Sequence, residues 1–476
     1  MSNQYFPRSI PEAQGIQSSA IEQFLDKIHK ENLELHSLML VRHGFVVAEG
    51  WWAPYQANLQ HMLFSLSKSF TSTAVGLAVQ EGLVSLNDAV VSFFPEEVPE
   101  EVSENLSIMR IRDLLMMGSG HAEDTMGRLH QANDGNWVQA FLQAPVEYPP
   151  GTHFVYNSGA TYMLSAILQK VTGLTLLQFL QPRILEPLAI TDATWETCPR
   201  GISAGGWGLS ITTEDIAKFG QLYLQKGVWE GKRLLAEEWI EQATSKQIAN
   251  GDDVESDWAQ GYGYQFWRCK HNTYRGDGAF GQFCIVMPEQ DAVLAVTSGT
   301  NDMQGVLNAV WEHLLPSMLL RPLAENKSAA VQLAASLNEL SLDLPRHVQN
   351  SPAEKLVSGR LFHMESNQEQ WNSFNIQFDT NQAIINVISN KGEHVIRCGR
   401  GHWIQGVTDI FEQANRRVAA SFTWVDSNSL EVTLRYVETP FCFTVKCRFE
   451  ADRIIIVNNP NVSFGSIESQ QILGHL

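Results

Sequence analysis

Ser65-Leu-Ser-Lys68-Ser-Phe-Thr-Ser-Thr-Ala-Val-Gly-Leu-Ala-Val-Gln80 is a stretch of helical length in which Lys68 is the only charged residue. A helix with no charged face is a buried helix. Lys68 is also the only lysine between residues 31 and 169, and no other lysine in the chain has a serine three places before it. Positions i and i+3 lie one turn apart on the same helix face, so the Lys68 amine can sit beside the Ser65 hydroxyl. A serine is a weak nucleophile until a base takes its proton. A lysine becomes that base when burial or a nearby cation lowers its pKa. Ser65, at the start of the helix, also sits among unpaired N–H groups that favour developing negative charge.

Outward from this helix the chain keeps one style. Ser19 with Glu22 is a capping-box pattern, and Ile21, Phe24, Leu25 and Ile28 form one apolar stripe, so a helix opens the chain. Leu38–Val41 and Phe45–Val47, around Arg42-His43-Gly44, read as a hairpin. Pro149-Pro150-Gly151 marks a turn, after which Tyr156-Asn157-Ser158-Gly159 leads into a second uncharged helix that Gly173 stops. A tyrosine at such a junction can place its hydroxyl over a cleft, and near Lys68 its proton would leave more easily. A third helix runs from about Thr213 to Lys226. Gly276-Asp277-Gly278-Ala279 then precedes the apolar run Phe283–Met287, and glycines at a strand let backbone approach a ligand closely. A backbone N–H there and the Ser65 N–H could form the two halves of an oxyanion hole.

This ordered set resembles the serine β-lactamase and penicillin-binding-protein-like superfamily. Within it the chain is similar to the β-lactamase-related serine hydrolases: class C β-lactamase-like esterases and 6-aminohexanoate-dimer hydrolases. Ile111–Gly120 and Gly205–Asp215 match that style, and the resemblance covers about residues 10 to 320. It implies an α+β fold, an antiparallel sheet flanked by helices plus a helical lobe, with the site between them. It implies Ser65 as nucleophile, Lys68 and Tyr156 as the proton-transfer pair, and the N–H groups of Ser65 and Ala279 as oxyanion hole. Asn157, Gly276, Asp277, Gly278 and Trp207, the last in a Gly-rich loop, are the expected substrate-binding residues.

Two departures bear on substrate. Class C enzymes carry Tyr-x-Asn where this chain has Tyr156-Asn157-Ser158, and Lys-Thr-Gly where it has Gly276-Asp277-Gly278. The second removes the cation that meets a β-lactam carboxylate, and an Asp277 facing the cleft would repel it. A neutral or cationic ester or amide fits better than a β-lactam. Two function classes stay open at this point: a metal-independent serine hydrolase, with a true β-lactamase or DD-peptidase as its less favoured form, and a catalytically silent binding or assembly protein on the same fold.

The 476 residues include 33 Lys and Arg against 52 Asp and Glu, a formal charge of −19. That argues against nucleic acid and against an anionic membrane as partners, and leaves a small molecule. It does not indicate an oligomeric state. No Cys/His cluster or helical H-x-x-x-H suggests a metal, and no cofactor motif stands. Gly276-x-Gly278-x-x-Gly281 leads into a strand where a phosphate site needs a helix. Gly201-Ile-Ser203-Ala-Gly205 is formally a nucleophile elbow but lacks the strand before and helix after it. The start shows no apolar leader, and six scattered cysteines suit reduced thiols, so a cytoplasmic location is expected. Residues 1–320 form the expected hydrolase domain and 321–352 a connecting helix ending near Pro345. Residues 353–476, with alternating runs such as Ala383–Ile388 and Leu430–Leu434, form an expected β-rich domain.

Overall fold

A computed structural model describes residues 6–344, 350–412, 414–465 and 470–476. The chain divides into two compact units. The first comprises residues 1–50, 60–298 and 302–338, and the second residues 51–59, 299–301 and 339–476.

The first unit is built on a six-stranded sheet. Its strands are β1 (Leu35–Arg42), β2 (Phe45–Trp51), β3 (Trp267–Arg268), β4 (Tyr274–Gly278), β5 (Gln282–Met287) and β6 (Ala292–Ser298), in the order β2-β1-β6-β5-β4-β3. The pairs β1–β6, β6–β5, β5–β4 and β4–β3 are antiparallel. β1, β5 and β6 are buried along their whole length, so they read as near-continuous apolar runs instead of alternating ones. Residues His43 and Gly44 (φ +51° and +78°) make the tight β1–β2 turn.

The longest helices of the first unit are α1 (Ser18–Lys30), α2 (Ser67–Gln80), α3 (Ser158–Thr172), α4 (Thr213–Leu224) and α5 (Lys327–Asn338). α2 buries every residue from Ser67 to Ala78, as a helix without a charged face must. Gly173 (φ +71°) ends α3 in the left-handed conformation. α4 opens with a capping box made by Thr212 and Asp215.

The capping box expected at Ser19 and Glu22 does not form. α1 begins one residue earlier, and its first N–H is taken by Glu12, whose carboxylate accepts from the Ser18 N–H (2.8 Å) and hydroxyl (3.0 Å). A buried carboxylate from the preceding turn outcompetes the local motif. α5, expected as part of a linker, belongs to the first unit and buries Leu333 there. Pro345, the expected end of that helix, lies outside the described residues.

The second unit is a ten-stranded barrel. Its strands are β7 (Leu361–Met364), β8 (Trp371–Phe378), β9 (Gln382–Ser389), β10 (Gly392–Arg400), β11 (Ile404–Thr408), β12 (Arg416–Trp424), β13 (Ser429–Tyr436), β14 (Cys442–Glu450), β15 (Arg453–Pro460) and β16 (Gln470–His475). The order is β10-β9-β8-β7-β16-β15-β14-β13-β12-β11, and a short parallel pairing of β10 with β12 closes it. Alternate residues such as Ile385, Val387, Val432, Leu434, Val445 and Cys447 point inward. They leave only about 10 Å³, room for about one water-sized sphere, so the barrel is a packed core. All six cysteines are buried, and none is in a disulfide. Among the described residues no single helix is long and apolar enough to cross a membrane.

Candidate active site

Ser65 lies in a short 3-10 turn, Phe64–Leu66, that runs straight into α2. One turn later the Lys68 amine reaches back to it. Lys68 Nζ donates to Ser65 Oγ (3.0 Å), Ser158 Oγ (3.1 Å) and the Gly206 carbonyl (2.8 Å). The side chain is 1% exposed. Burial lowers the Lys68 pKa to about 7, against the opposing fields of the Asp124 and Asp277 carboxylates. Gly206 is tight here: a Cβ on it would lie 3.0 Å from the Ser158 carbonyl and 3.4 Å from Lys68 Nζ.

The Tyr156 hydroxyl interacts with Ser65, and Lys68 Nζ stands 4.8 Å from the centre of the phenol ring. The expectation that Tyr156 loses its proton easily is overturned. Burial, followed by the Asp277 field, pushes the phenol well above its ordinary range, so it stands as an O–H group. Its ring lies flat on Trp267 (centroids 5.3 Å, planes 21° apart) and edge-on to Tyr262.

β4 brings up the other wall. Gly276 packs against α2, where a Cβ would come within 2.5 Å of Leu66 Cδ1 and Ser69 Oγ. A Cβ on Gly278 would overlap the Leu63 carbonyl oxygen and lie 3.1 Å from the Ser65 nitrogen. Only glycine allows that approach. It leaves Ala279, in the turn after β4, next in line beside the Ser65 backbone. Among the described residues neither the Ser65 N–H nor the Ala279 N–H is bonded to a protein acceptor. The residues flanking them, Phe64 and Phe280, both take left-handed backbone (φ +47° and +65°), and their rings meet edge to face at 5.7 Å. Strained backbone of this kind persists only where packing holds it.

The remaining expected binding residues divide. Trp207 is half-buried, follows Gly206, and packs its ring near Trp137 and His130, each 5.9 Å away between centroids. Asn157 is instead wholly buried. Its side-chain carbonyl accepts from the Thr125 N–H (3.2 Å), the Thr125 hydroxyl (2.9 Å) and the Ala160 N–H (3.3 Å), capping α3. The next residue, Ser158, points its hydroxyl at Lys68 instead. Asp277 is no free charge in the cleft: Arg275 binds it, with Nε and Nη2 each 2.9 Å from the same oxygen.

Sequence reasoning passed over Ser158 and Asp124. Asp124 is exposed and accepts from the Ser158 N–H (3.0 Å), which brings its charge beside Lys68 and Tyr156. The signal for Ser158 was present, since it stands two places after Tyr156 where class C enzymes have their asparagine. Ser203, the serine of the competing elbow motif, is buried in a loop with its carbonyl taken by Ser165, and no helix follows it.

Comparison with known proteins agrees with the fold of the first unit. A family model described as Beta-lactamase matches residues 22–314. The 6-aminohexanoate-dimer hydrolase of Paenarthrobacter ureafaciens is 25% identical over 286 residues, covering 56% of this chain and 73% of that protein. Among solved structures, a Bacillus anthracis protein named for the same dimer hydrolase superposes with a TM-score of 0.54 at 21% identity, over 64% of this chain and 86% of that one. A family VIII carboxylesterase superposes with a TM-score of 0.51 at 17% identity, over 64% and 99%. At these identities the two superpositions speak to the fold alone.

Proposed function

The chain belongs to the Beta-lactamase family, and on that premise we propose that it is a serine hydrolase that cleaves an ester or amide through a Ser65 acyl-enzyme. The observation that carries this reading is the buried Lys68 amine held on Ser65 Oγ at 3.0 Å.

The hydrogen bonds support a division of roles. Of the three partners of Lys68, the Gly206 carbonyl can only accept, whereas the Ser65 and Ser158 hydroxyls can also donate. When the amine is neutral, its two N–H groups serve Gly206 and Ser158, and its lone pair accepts the Ser65 proton. Ser65 Oγ attacks the carbonyl carbon, and the carbonyl oxygen takes the negative charge between the Ser65 and Ala279 N–H groups. The proton gained by Lys68 passes through the Tyr156 hydroxyl to the departing alkoxide or amine, leaving Tyr156 a phenol as before. Water then attacks the acyl carbon, gives its proton to the same pair, and releases the acid with Ser65 restored.

Substrate charge follows from the surroundings. Asp124 is an exposed carboxylate beside the pair. The nearby guanidinium of Arg275 is fully buried and bound to Asp277, the Asp257 carbonyl and Cys269. That leaves this cation committed to protein partners and unavailable to a substrate carboxylate, and supports neutral or cationic acyl groups. The same reading supports hydrolysis without a metal or cofactor.

The test is a panel of nitrophenyl esters and anilides with neutral, cationic and anionic acyl groups, assayed from pH 5 to 9. The base works in its neutral form. kcat/KM should therefore rise about tenfold per pH unit at low pH and level off above the Lys68 value of about 7. Neutral and cationic acyl groups should lead the anionic ones by about tenfold or more. A rate that falls with pH through this range, or a preference for anionic acyl groups, would overturn the reading.

A further inference from the structure

Resting on the hydrolase reading, we propose that the buried Arg275–Asp277 pair is a positioning device: it clamps the Trp267 indole flat against Tyr156 and so holds the phenol hydroxyl on Ser65. Asp277 is thereby a positioning residue and not a binder of substrate.

The argument begins with strand geometry. On β4, Arg275 and Asp277 are two residues apart and share one face, while Gly276 and Gly278 on the other face meet the Ser65 turn and α2. Arg275 is 0% exposed and is held on several sides. Its Nη1 donates to the Asp257 carbonyl (2.9 Å) and reaches Cys269 Sγ (2.9 Å), and its plane lies 4.4 Å from the Trp258 ring and 5.7 Å from the Trp267 ring. The Asp257 carboxylate is itself fixed by the Lys270 N–H, Gln304 and Trp311. The guanidinium therefore has one place to be, and it fixes Asp277.

Asp277 in turn interacts with the Trp267 side chain, and the Arg275 Cζ lies 5.7 Å from the centre of the same ring. Trp267 also packs edge-on against Tyr262 at 4.8 Å, so its ring is held between the buried pair and the neighbouring aromatic rings. Against that fixed plane lies Tyr156. The path from Arg275 and Asp277 through Trp267 and Tyr156 to Ser65 thus runs through neighbouring side chains.

A buried charge pair costs desolvation that an apolar pair would avoid. Its retention beside the nucleophile fits a role in orientation and field. The charged groups acting on Lys68 are Asp124 and Asp277, and those on Tyr156 are Asp277, Asp124 and Arg275. Removing the Asp277 charge takes away a field that favours the Lys68 ammonium, and leaves Arg275 uncompensated nearby. Both changes push the Lys68 titration downward.

The experiment is NMR titration of side-chain-labelled lysines in the full chain, wild type against Asp277→Asn, with Lys68 assigned by its loss in Lys68→Met. A Lys68 midpoint lower by about one pH unit in Asp277→Asn is expected, and an unmoved midpoint overturns the proposal. This readout does not need turnover, so a wild type inactive on every ester defeats the hydrolase reading while the titration still decides this one. The shift reports the field of the pair on Lys68, and, whether or not Asp277→Asn folds, Trp267→Phe tests the clamp itself. It keeps a stacked ring but deletes the indole N–H. A kcat lower by about fivefold or more with KM and Tm unchanged supports the clamp, and a kcat within twofold of wild type overturns it.

Discussion

Lys68→Met lowers kcat/KM for an activated ester by about a thousandfold or more, with the fold intact. General-base removal alone is worth about 100- to 10,000-fold. Here the same group also carries the proton to the leaving group, so the loss should fall in the upper part of that range. The fold should survive because methionine matches the length of the lysine stem in a helix that buries apolar side chains along its whole face. The cost is the donors lost by Ser158 Oγ and the Gly206 carbonyl, about 1–3 kcal/mol. The desolvation of a buried amine is relieved in return. Lys68→Arg sharpens the result. Arginine keeps the charge but cannot accept a proton, so it should be as inactive as methionine if Lys68 is the base. The checks are kcat/KM and thermal unfolding measured on the same preparations. A variant of either kind retaining a tenth of wild-type activity would remove Lys68 from the base role.

Gly278→Ala is expected to be nearly as damaging, by a different route. The added methyl would overlap the Leu63 carbonyl oxygen, a backbone atom that cannot rotate away. Either β4 or the Phe64–Leu66 turn must shift. That shift separates the Ser65 and Ala279 N–H groups, which depend on this approach. Loss of one oxyanion donor costs about 100- to 1,000-fold in kcat, and both are at stake here. The overlap should also lower stability by about 1–3 kcal/mol. Gly276→Ala is the useful partner variant. Its methyl would meet side-chain atoms of Leu66 and Ser69, which can move, so the loss should be smaller. Equal activity in Gly278→Ala and wild type would mean that the two N–H groups do not act together.

Much of this site can be read from residue types and spacing. The uncharged run from Ser65 to Gln80 announces a buried helix, and a lone lysine within it one turn from a serine announces its chemistry. The glycines of Gly276-Asp277-Gly278 mark close approach, and each does face the nucleophile's turn or helix. What escaped was set by a phase of one residue. At the start of α3, Asn157 and Ser158 are both small polar residues, and only the cap geometry decides which turns inward and which faces Lys68. The Arg275–Asp277 pairing was legible in principle, since residues two apart on a strand share a face. The mutual burial that makes it consequential comes from Trp258, Trp267 and Asp257, which no local pattern brings together. In the second unit, alternation reveals strands such as Ala383–Ile388. The closing contact of β10 with β12 is parallel and two residues long, and it leaves no sequence trace.

The central claim is that Ser65 is an activated nucleophile. Intact mass after incubation with a fluorophosphonate probe tests it most directly, on wild type, Ser65→Ala and Ser203→Ala. One covalent adduct on wild type and Ser203→Ala, absent from Ser65→Ala, is the predicted result. An adduct that persists in Ser65→Ala, or none on wild type, would contradict the account.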